Sequence, residues 1–310
     1  MEDPPLVNRT CSTLVLALVA ALGAAAPGLA CSVCRCGDPL FNALGSNLFA
    51  GANLRLALDE VEIRKDQGSP GEPDFEMLRE LRSTLTIAWA PDDRLQLVAR
   101  LPWTERRVSA EDGTVRGSGL SDPELSAAWR VWASKFVPRV GRRSWISLGA
   151  GVKTDWGESD LRRHGARLDE HAQPGTGSLD PFLGALAVRQ IDPTSSLFGS
   201  VQARRPGSNE VGYRYGDVFL ANLGVEKQLN TRFDVSAELN YRSAGRDRID
   251  RSGTLDADTG GRILYFSPRL MVVLTPKLVG RLMVQVPAWK ALNGEQTERT
   301  IVDLGLTLTL

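Results

Sequence analysis

The sequence predicts an all-β protein, and more specifically a transmembrane antiparallel up-and-down β-barrel of about twelve strands. Three observations lead to this prediction. Apolar and polar residues alternate along successive stretches, the breaks between stretches are alternately short and long, and the chain begins with a secretory leader. Successive side chains of a strand point to opposite faces, so each stretch has one apolar and one polar face. Short turns at one end and long loops at the other are typical of bacterial outer-membrane barrels.

The first 30 residues have the features of a signal peptide. Arg9 supplies a positive charge, residues 14–26 form an apolar run rich in alanine and leucine, and a cleavage-like sequence follows. The apolar run is shorter than a membrane-spanning helix needs to be. We therefore predict a signal peptide over 1–30, a cysteine-rich periplasmic segment over 31–45 and a barrel over 46–310.

Composition narrows the possible partners. The chain has 37 basic and 37 acidic residues, a balance that argues against binding to nucleic acid. Charged residues make up 24% of the chain, which fits a barrel whose lumen is lined by charged groups, and the 30 glycines fit a twisted wall with many turns. We expect outer-membrane lipid and a small-molecule solute as partners, and the outer membrane of a Gram-negative bacterium as the location.

Period-two alternation and turn residues define the strands in chain order. The predicted strands cover residues 46–60, 77–90, 94–107, 121–134, 144–156, 180–190, 196–206, 215–229, 232–244, 262–275, 278–288 and 298–310. Most breaks after an even-numbered strand are compact and rich in turn residues. The other breaks are longer and polar, at 61–76, 108–120, 157–179, 207–214, 245–261 and 289–297. With a periplasmic N-terminus and an even strand count, the compact breaks become periplasmic turns and the long ones extracellular loops.

A soluble β-sandwich gives the same alternation, and two observations favour the membrane barrel over it. The predicted strands are longer than the strands of ordinary globular proteins. The tryptophans and several tyrosines lie at strand ends, where two membrane-interface girdles are expected, whereas a sandwich places some tryptophan in its core. The predicted girdle residues are Trp89, Trp103, Trp129, Trp132, Trp145, Trp156, Tyr241 and Tyr265, and Trp289, Tyr213 and Tyr215 also lie near outer ends.

Five short sequence segments carry a resemblance to a known family. They are LVARLPW (97–103), GSGLSDPELSAA (117–128), GAGVKTDWG (149–157), GTGSLDPFLGA (175–185) and VQVPAWKALNGEQ (284–296). In this order they resemble the bacterial outer-membrane family named for a MetA pathway of phenol degradation, often called transporter-like, over roughly residues 95–310. The resemblance implies a small β-barrel and a role in moving small molecules, aromatic ones among them. It carries over no substrate and no catalytic residues.

The chain departs from that family at two places. Thr154 to Gly157 stand where such proteins often have Pro-Thr-Gly, and the last residue is Leu310 instead of the aromatic residue that is common at the end of outer-membrane proteins. The second departure weakens the usual assembly signal.

Three cysteines, Cys31, Cys34 and Cys36, follow the leader at C-x-x-C-x-C spacing. Thiolates at this spacing suit a soft metal ion, and the segment could instead contact a periplasmic redox partner. In an oxidising periplasm two of the three could equally form a disulfide. Lipidation of Cys31 is a third alternative, although Gly28 departs from the usual lipoprotein box. Apart from this metal, no cofactor is predicted.

The two histidines, His164 and His171, both fall in the longest outer loop. The sequence favours a solvated loop over an ion contact there, because the spacing presets no ligand geometry. A barrel hydrolase needs a histidine held beside a serine on the rigid wall, and no predicted strand carries one. The sequence therefore predicts that the protein is not an enzyme.

The polar faces of the strands carry charges of both signs. The predicted lumen-facing residues are Arg55, Arg82, Arg100, Glu124, Arg130, Lys153, Glu226, Asp234, Glu238, Arg269, Arg281 and Asp303, together with Asp59. They would line a narrow pore that orients a polar or amphipathic solute, or form ion pairs that plug a small barrel. We predict a passive channel for small molecules. The alternative is a membrane-anchored docking protein that works through its cysteine segment.

Overall fold

The structure is a computed structural model that describes residues 53–68, 75–111, 113–135, 144–249, 251 and 253–310. The predicted signal peptide and the cysteine-rich segment lie outside the described residues. So does the beginning of the first predicted strand. Within the described ranges, no helix is long and apolar enough to cross a membrane.

The described residues form sixteen strands. They are β1 (Asn53–Gln67), β2 (Glu76–Ala90), β3 (Leu95–Ala110), β4 (Gly113–Leu120), β5 (Glu124–Ala133), β6 (Ser144–Lys153), β7 (Arg162–Arg163), β8 (Ala166–Arg167), β9 (Asp180–Asp192), β10 (Ser195–Arg204), β11 (Val218–Gln228), β12 (Phe233–Ala244), β13 (Gly261–Thr275), β14 (Leu278–Leu292), β15 (Gln296–Glu298) and β16 (Ile301–Thr309). Every pairing between them is antiparallel.

Twelve strands form the wall of a closed barrel, which confirms the predicted fold class. Each wall strand pairs with the next wall strand along the chain, in the order β1, β2, β3, β5, β6, β9, β10, β11, β12, β13, β14, β16. The last strand then returns to the first: Leu56 pairs with Leu308, and Glu62 with Val302. Because β1 and β16 pair over eight residue positions, this sheet has no free edge at the seam.

The barrel has an apolar outside and a polar inside. Along β2, buried Arg82, Thr84 and Thr86 alternate with Leu81, Leu85 and other more exposed residues. The same alternation continues around the wall, so that large apolar side chains cover the outer surface while charged and hydroxyl side chains fill the interior. A wall that faces lipid outside and polar groups inside has this pattern.

Aspartate side chains accept backbone hydrogen bonds in two of the compact turns, and Asn230 and Thr275 do so in two others. The backbone N–H groups of Arg94 and Leu95 donate to the Asp92 carboxylate, at 2.7 and 2.8 Å. Hydrogen bonds from Leu95 and Arg94 lower the pKa of Asp92. In the turn between β9 and β10, the Thr194 backbone N–H and the hydroxyls of Thr194 and Ser195 lower the pKa of Asp192 to about 2. These are the turn interactions that aspartate commonly supplies.

The long outer loops contain more strand than the sequence predicts. The predicted loop over 108–120 is the end of a hairpin in which β3 continues to Ala110 and pairs with β4. β1 likewise reaches Gln67, and β14 reaches Leu292. These extensions lose the apolar face that marks a membrane-facing strand, because they rise past the apolar belt into solvent. Their polar residues therefore resemble loop in the sequence.

Candidate functional site

The barrel interior is the candidate site, and all predicted lumen-facing charges lie on its inward face. Seven of the twelve are buried: Arg82, Arg100, Arg130, Lys153, Glu238, Arg269 and Asp303. The others are half-buried: Arg55, Glu124, Glu226, Asp234 and Arg281. Asp59 is also buried. Their part in solute selectivity stays a prediction, since position alone does not assign it.

One interior cluster joins the strands at the seam. The Arg281 Nη2 atom lies 2.7 Å from Asp59 Oδ1 and 3.0 Å from Asp303 Oδ1. Gly305 leaves the room for this contact, because a Cβ atom there would overlap the Asp59 carboxylate and crowd the Arg281 guanidinium. The cluster links β1, β14 and β16 from the inside.

A second cluster lies on β11, β12 and β13. The Arg269 Nη2 atom lies 3.0 Å from Glu238 and 3.5 Å from Glu226, and its Nε donates to Ser236 at 2.9 Å. The Asn222 side-chain amide donates to Glu238 at 2.9 Å. Charged groups in a confined interior are stable when they are paired and hydrogen-bonded in this way.

A third cluster is centred on Lys153 at the outer end of β6. Its Nζ atom lies 3.0 Å from Asp122 and 3.1 Å from Asp180, and it donates to the Thr176 hydroxyl at 2.5 Å and the Ser178 carbonyl at 2.7 Å. All five residues are buried. Two of them belong to the long loop between β6 and β9, so the cluster ties that loop to the wall.

That loop folds into the outer end of the barrel over residues 170–178, which we call the plug segment. Within it, Gln173 has no exposed surface and Ala172 almost none. Arg106, an inward-facing residue of β3, donates to the Gln173 carbonyl at 2.8 Å and the His171 carbonyl at 3.2 Å. The Ser121 hydroxyl is 2.8 Å from the Pro174 carbonyl. Inward-facing side chains therefore hold the segment.

The start of the plug segment contacts the loop between β10 and β11. Glu170 accepts from Asn209 at 3.3 Å, and its carbonyl lies 3.4 Å from the Tyr215 hydroxyl, both in the loop between β10 and β11. Within the same loop as the plug segment, Arg167 donates to Glu170 at 2.5 Å. This hydrogen bond raises the pKa of Arg167. The plug segment thus spans from β3 to the β10–β11 loop and narrows the outer opening.

The two histidines sit on this loop and not on a wall strand. His164 is exposed and has a positive φ of 51° in the β7–β8 turn. His171 is the second residue of the plug segment, and its Nδ1 atom lies 3.5 Å from Asp169 Oδ1. Among the described residues, no group of three or more histidine, cysteine, aspartate or glutamate side chains could hold a metal ion. The predicted ligands Cys31, Cys34 and Cys36 lie outside the described residues, so that metal site and its periplasmic partner stay predictions.

The interior also has an apolar part that the sequence analysis missed. Trp145, Leu186, Val188 and Phe198 form a buried cluster on the inner faces of β6, β9 and β10. The guanidinium of Arg130 lies 5.5 Å from the Trp145 ring, and that of Arg269 lies 5.9 Å from the Phe198 ring. Phe182 is covered in the same way by Arg204, at 5.0 Å. Arginine–aromatic stacks on an inner wall present apolar surface and positive charge side by side.

Two predicted girdle residues are corrected by the structure. Trp145 is only 7% exposed and faces inward in the apolar cluster. Tyr265 is 2% exposed and hydrogen-bonds the buried Glu298 inside the barrel. The alternation of the strands indicates this inward orientation, because residues an even number of positions apart lie on the same face. Trp145 shares a face with inward-facing Lys153, and Tyr265 shares a face with Arg269.

The remaining predicted girdle residues point outward. Trp89, Trp103, Trp129, Trp132 and Trp156 are exposed, as is Trp289, and Tyr241 is half-exposed on the outer face of β12. Tyr213 and Tyr215 are buried instead, in an edge-to-face pair within the β10–β11 loop, with ring centroids 5.0 Å apart. They hold the loop that contacts the plug segment, so their position near an outer end does not make them interface residues.

Comparisons with known proteins support the fold. A scan against protein-family models found no match, and a search among curated proteins found none. Among solved structures, an outer membrane channel from Pseudomonas putida F1 is 15% identical with a TM-score of 0.64, over 84% of this chain and 96% of that one. It shows the barrel fold. The family resemblance of the sequence stays a prediction, although the fold that it implies agrees with this structure.

Two other solved structures are less similar. The translocator domain of the autotransporter NalP from Neisseria meningitidis is 14% identical with a TM-score of 0.46, over 83% of this chain and 88% of that one. A deletion mutant of the monoaromatic hydrocarbon channel TodX is 12% identical with a TM-score of 0.45, over 87% and 93%. Neither superimposes closely enough to inform the function of this chain.

Proposed function

We propose that the protein is an outer-membrane channel through which small solutes diffuse, and that it is not an enzyme. The observation that carries this proposal is a closed twelve-stranded wall with an apolar exterior and a charged interior. Such a wall separates a polar path from lipid, which is the basic requirement for passage across a bilayer. The similar structure with the TM-score of 0.64 is itself an outer membrane channel, which supports the proposal.

The solutes that fit best are amphipathic, with a compact apolar body and an ionised or polar group. This proposal is based on the inner wall, where the buried rings of Phe198 and Trp145 lie against the guanidinium groups of Arg269 and Arg130, although Arg269 is itself paired with Glu238 and Glu226. Aromatic acids belong to this class, since aromatic and cationic side chains together favour planar anions. The paired charges of the interior orient such a solute as it passes.

The test is conductance and solute flux with the full-length protein. Refolded or natively inserted protein in a planar bilayer should give single-channel steps, and vesicles containing it should admit a radiolabelled aromatic acid such as benzoate faster than an uncharged sugar of similar mass. The variant Phe198→Ala should reduce the preference for benzoate over the sugar, whereas Phe219→Ala, on the outer face of β11, should not. A correctly folded barrel that shows neither conductance nor flux would overturn the proposed function.

A further inference from the structure

Arginines from four adjacent strands stand directly opposite one another on the outside of the barrel. Arg64 of β1 pairs with Arg79 of β2, Arg79 pairs with Arg107 of β3, and Arg107 pairs with Arg116 of β4. Side chains opposite each other on antiparallel strands have Cβ atoms roughly 4.5–5.5 Å apart. We call these four residues the arginine row.

The arginine row faces outward and is solvated. The side chains of Arg64 and Arg79 are 53% and 59% exposed, and Arg107 and Arg116 are exposed as well. Arg299 extends the row at the seam: its backbone N–H donates to the Arg64 carbonyl, and its side chain is 56% exposed. Five guanidinium groups thus follow one another across neighbouring chain segments.

This arrangement carries more positive charge than the protein itself neutralises. Glu62 accepts from both Arg64 and Arg79, at 2.9 and 2.8 Å, and Arg299 pairs with Asp66. Arg107 and Arg116 form no ion pair with any other residue that the structure describes. Like charges placed directly opposite each other destabilise a sheet, so a row of this kind costs stability unless an external anion compensates it.

The position of the row indicates the source of that anion. Below Arg107 on the outer face of β3 come Glu105, then exposed Trp103 and Leu101. Leu120 lies below Arg116 in the same way. The row therefore lies just past the apolar belt, at the end with the long loops, which is the level of lipid headgroups in the outer leaflet.

We propose that the arginine row binds the phosphate groups of a phosphorylated glycolipid in the outer leaflet. The planar guanidinium group pairs with phosphate in a bidentate manner, and a row of such groups matches a headgroup that carries several phosphates. The acyl chains of the same lipid would lie against the leucines and tryptophan beneath the row. This inference rests on the outer-membrane placement in the proposed function and not on conductance.

Binding of purified lipid A to the full-length protein in detergent micelles tests the inference. Bisphosphorylated lipid A should bind the native protein, and the variant Arg107→Gln/Arg116→Gln should bind it roughly tenfold or more weakly, because each arginine near an anionic lipid surface strengthens binding. The matched control Arg205→Gln/Arg248→Gln removes two exposed arginines from other outer loops and should bind as the native protein does. A second variant, Arg107→Lys/Arg116→Lys, keeps the charge without the bidentate geometry, so it should bind lipid A more weakly than the native protein and more tightly than the glutamine variant. It keeps the test decisive if the glutamine variant folds poorly.

The outcomes separate the possible ligands. Weak binding of dephosphorylated lipid A and weak binding of inorganic phosphate would support the proposal, since both the phosphate and the lipid are then required. Equal binding by the native protein and the Arg107→Gln/Arg116→Gln variant would overturn it, as would equal binding of phosphorylated and dephosphorylated lipid A. Inorganic phosphate that binds as tightly as lipid A would show a simple anion site and contradict it. Because conductance is measured separately, a conducting protein without lipid binding refutes this inference alone.

Discussion

The charged residues described at the outer and inner ends of the lumen differ in how deeply they are buried. At the outer end, Lys153, Asp122 and Asp180 are completely enclosed and tie a loop to the wall. Near the compact turns, Arg55 and Asp234 are only half-buried, although Arg130 is buried there beside the Trp145 ring. The difference indicates that the Lys153 cluster at the outer end ties the loop to the wall, whereas Arg55 and Asp234 at the inner end remain partly open to solvent. If small solutes diffuse through the barrel as proposed, we expect the main resistance to diffusion at the outer end.

The largest expected effect is on the free energy of unfolding, when the Lys153 cluster at the outer end is broken. Replacing Lys153 with methionine leaves Asp122 and Asp180 buried without their cation, which typically costs about 3–5 kcal/mol. The matched control is Lys227→Met on the outer face near the compact turns, where a half-exposed lysine lies 3.8 Å from Asp192 and contributes less than about 1 kcal/mol. Urea unfolding in detergent micelles measures both variants. Similar losses for the two variants would show that buried Lys153 stabilises the fold no more than an exposed lysine does.

An intermediate effect concerns ion selectivity at the inner end. Arg55→Gln should shift permeability toward cations and Asp234→Asn toward anions, each on the order of twofold, because a charge on a pore wall changes the local concentration of counter-ions. The unfolding free energy of both variants should change by less than about 1 kcal/mol. Reversal potentials in a salt gradient give the selectivity. If neither variant moves the reversal potential, these residues do not face the conducting path.

The alternation of the sequence was sufficient to predict the wall but not the plug segment. Val302, Leu304 and Leu306 against Asp303 and Gly305 show both faces of β16 directly, and the structure places them accordingly. The local pattern decides such positions, because in a barrel each wall residue faces either lipid or lumen.

The burial of the plug segment was not predicted because the residues that it contacts are distant in sequence. Gln173 and Thr176 are polar residues in a glycine-containing loop, which normally indicates exposure. They are buried because Arg106 and Asp122, more than 50 positions earlier, satisfy backbone groups around them. The loop sequence itself does not indicate which residues it contacts. The apolar cluster around Trp145 was not predicted for a different reason. Tryptophan is common at membrane interfaces, but the alternation of β6 places Trp145 on the inner face.

The smallest expected effect lies in the compact turn between β9 and β10. The pKa of Asp192 is about 2, below the ordinary value for aspartate, so its carboxylate stabilises the fold above that ordinary value and the contribution disappears as the pH falls through about 2. Asp192→Asn should therefore be slightly less stable than the native protein at pH 7, and the difference should be much smaller at pH 2. Thermal unfolding at both pH values measures this. Asp155→Asn, an exposed residue of the long outer loop, is the control and should match the native protein throughout.

The most direct test of the account is the single-channel conductance after the plug segment is released. The variant Arg106→Gln/Ser121→Ala removes the hydrogen bonds to the carbonyls of His171, Gln173 and Pro174. It also removes the buried Arg106–Glu80 ion pair and the Ser121–Thr104 hydrogen bond, so correct folding is checked first. The control Arg162→Gln removes only an exposed ion pair on the same loop. We expect the double variant to have a conductance roughly twofold or more above that of the native protein, because the narrowest part of a pore limits its conductance. The control should conduct as the native protein does. Equal conductance for all three folded proteins would contradict the claim that this segment narrows the outer end.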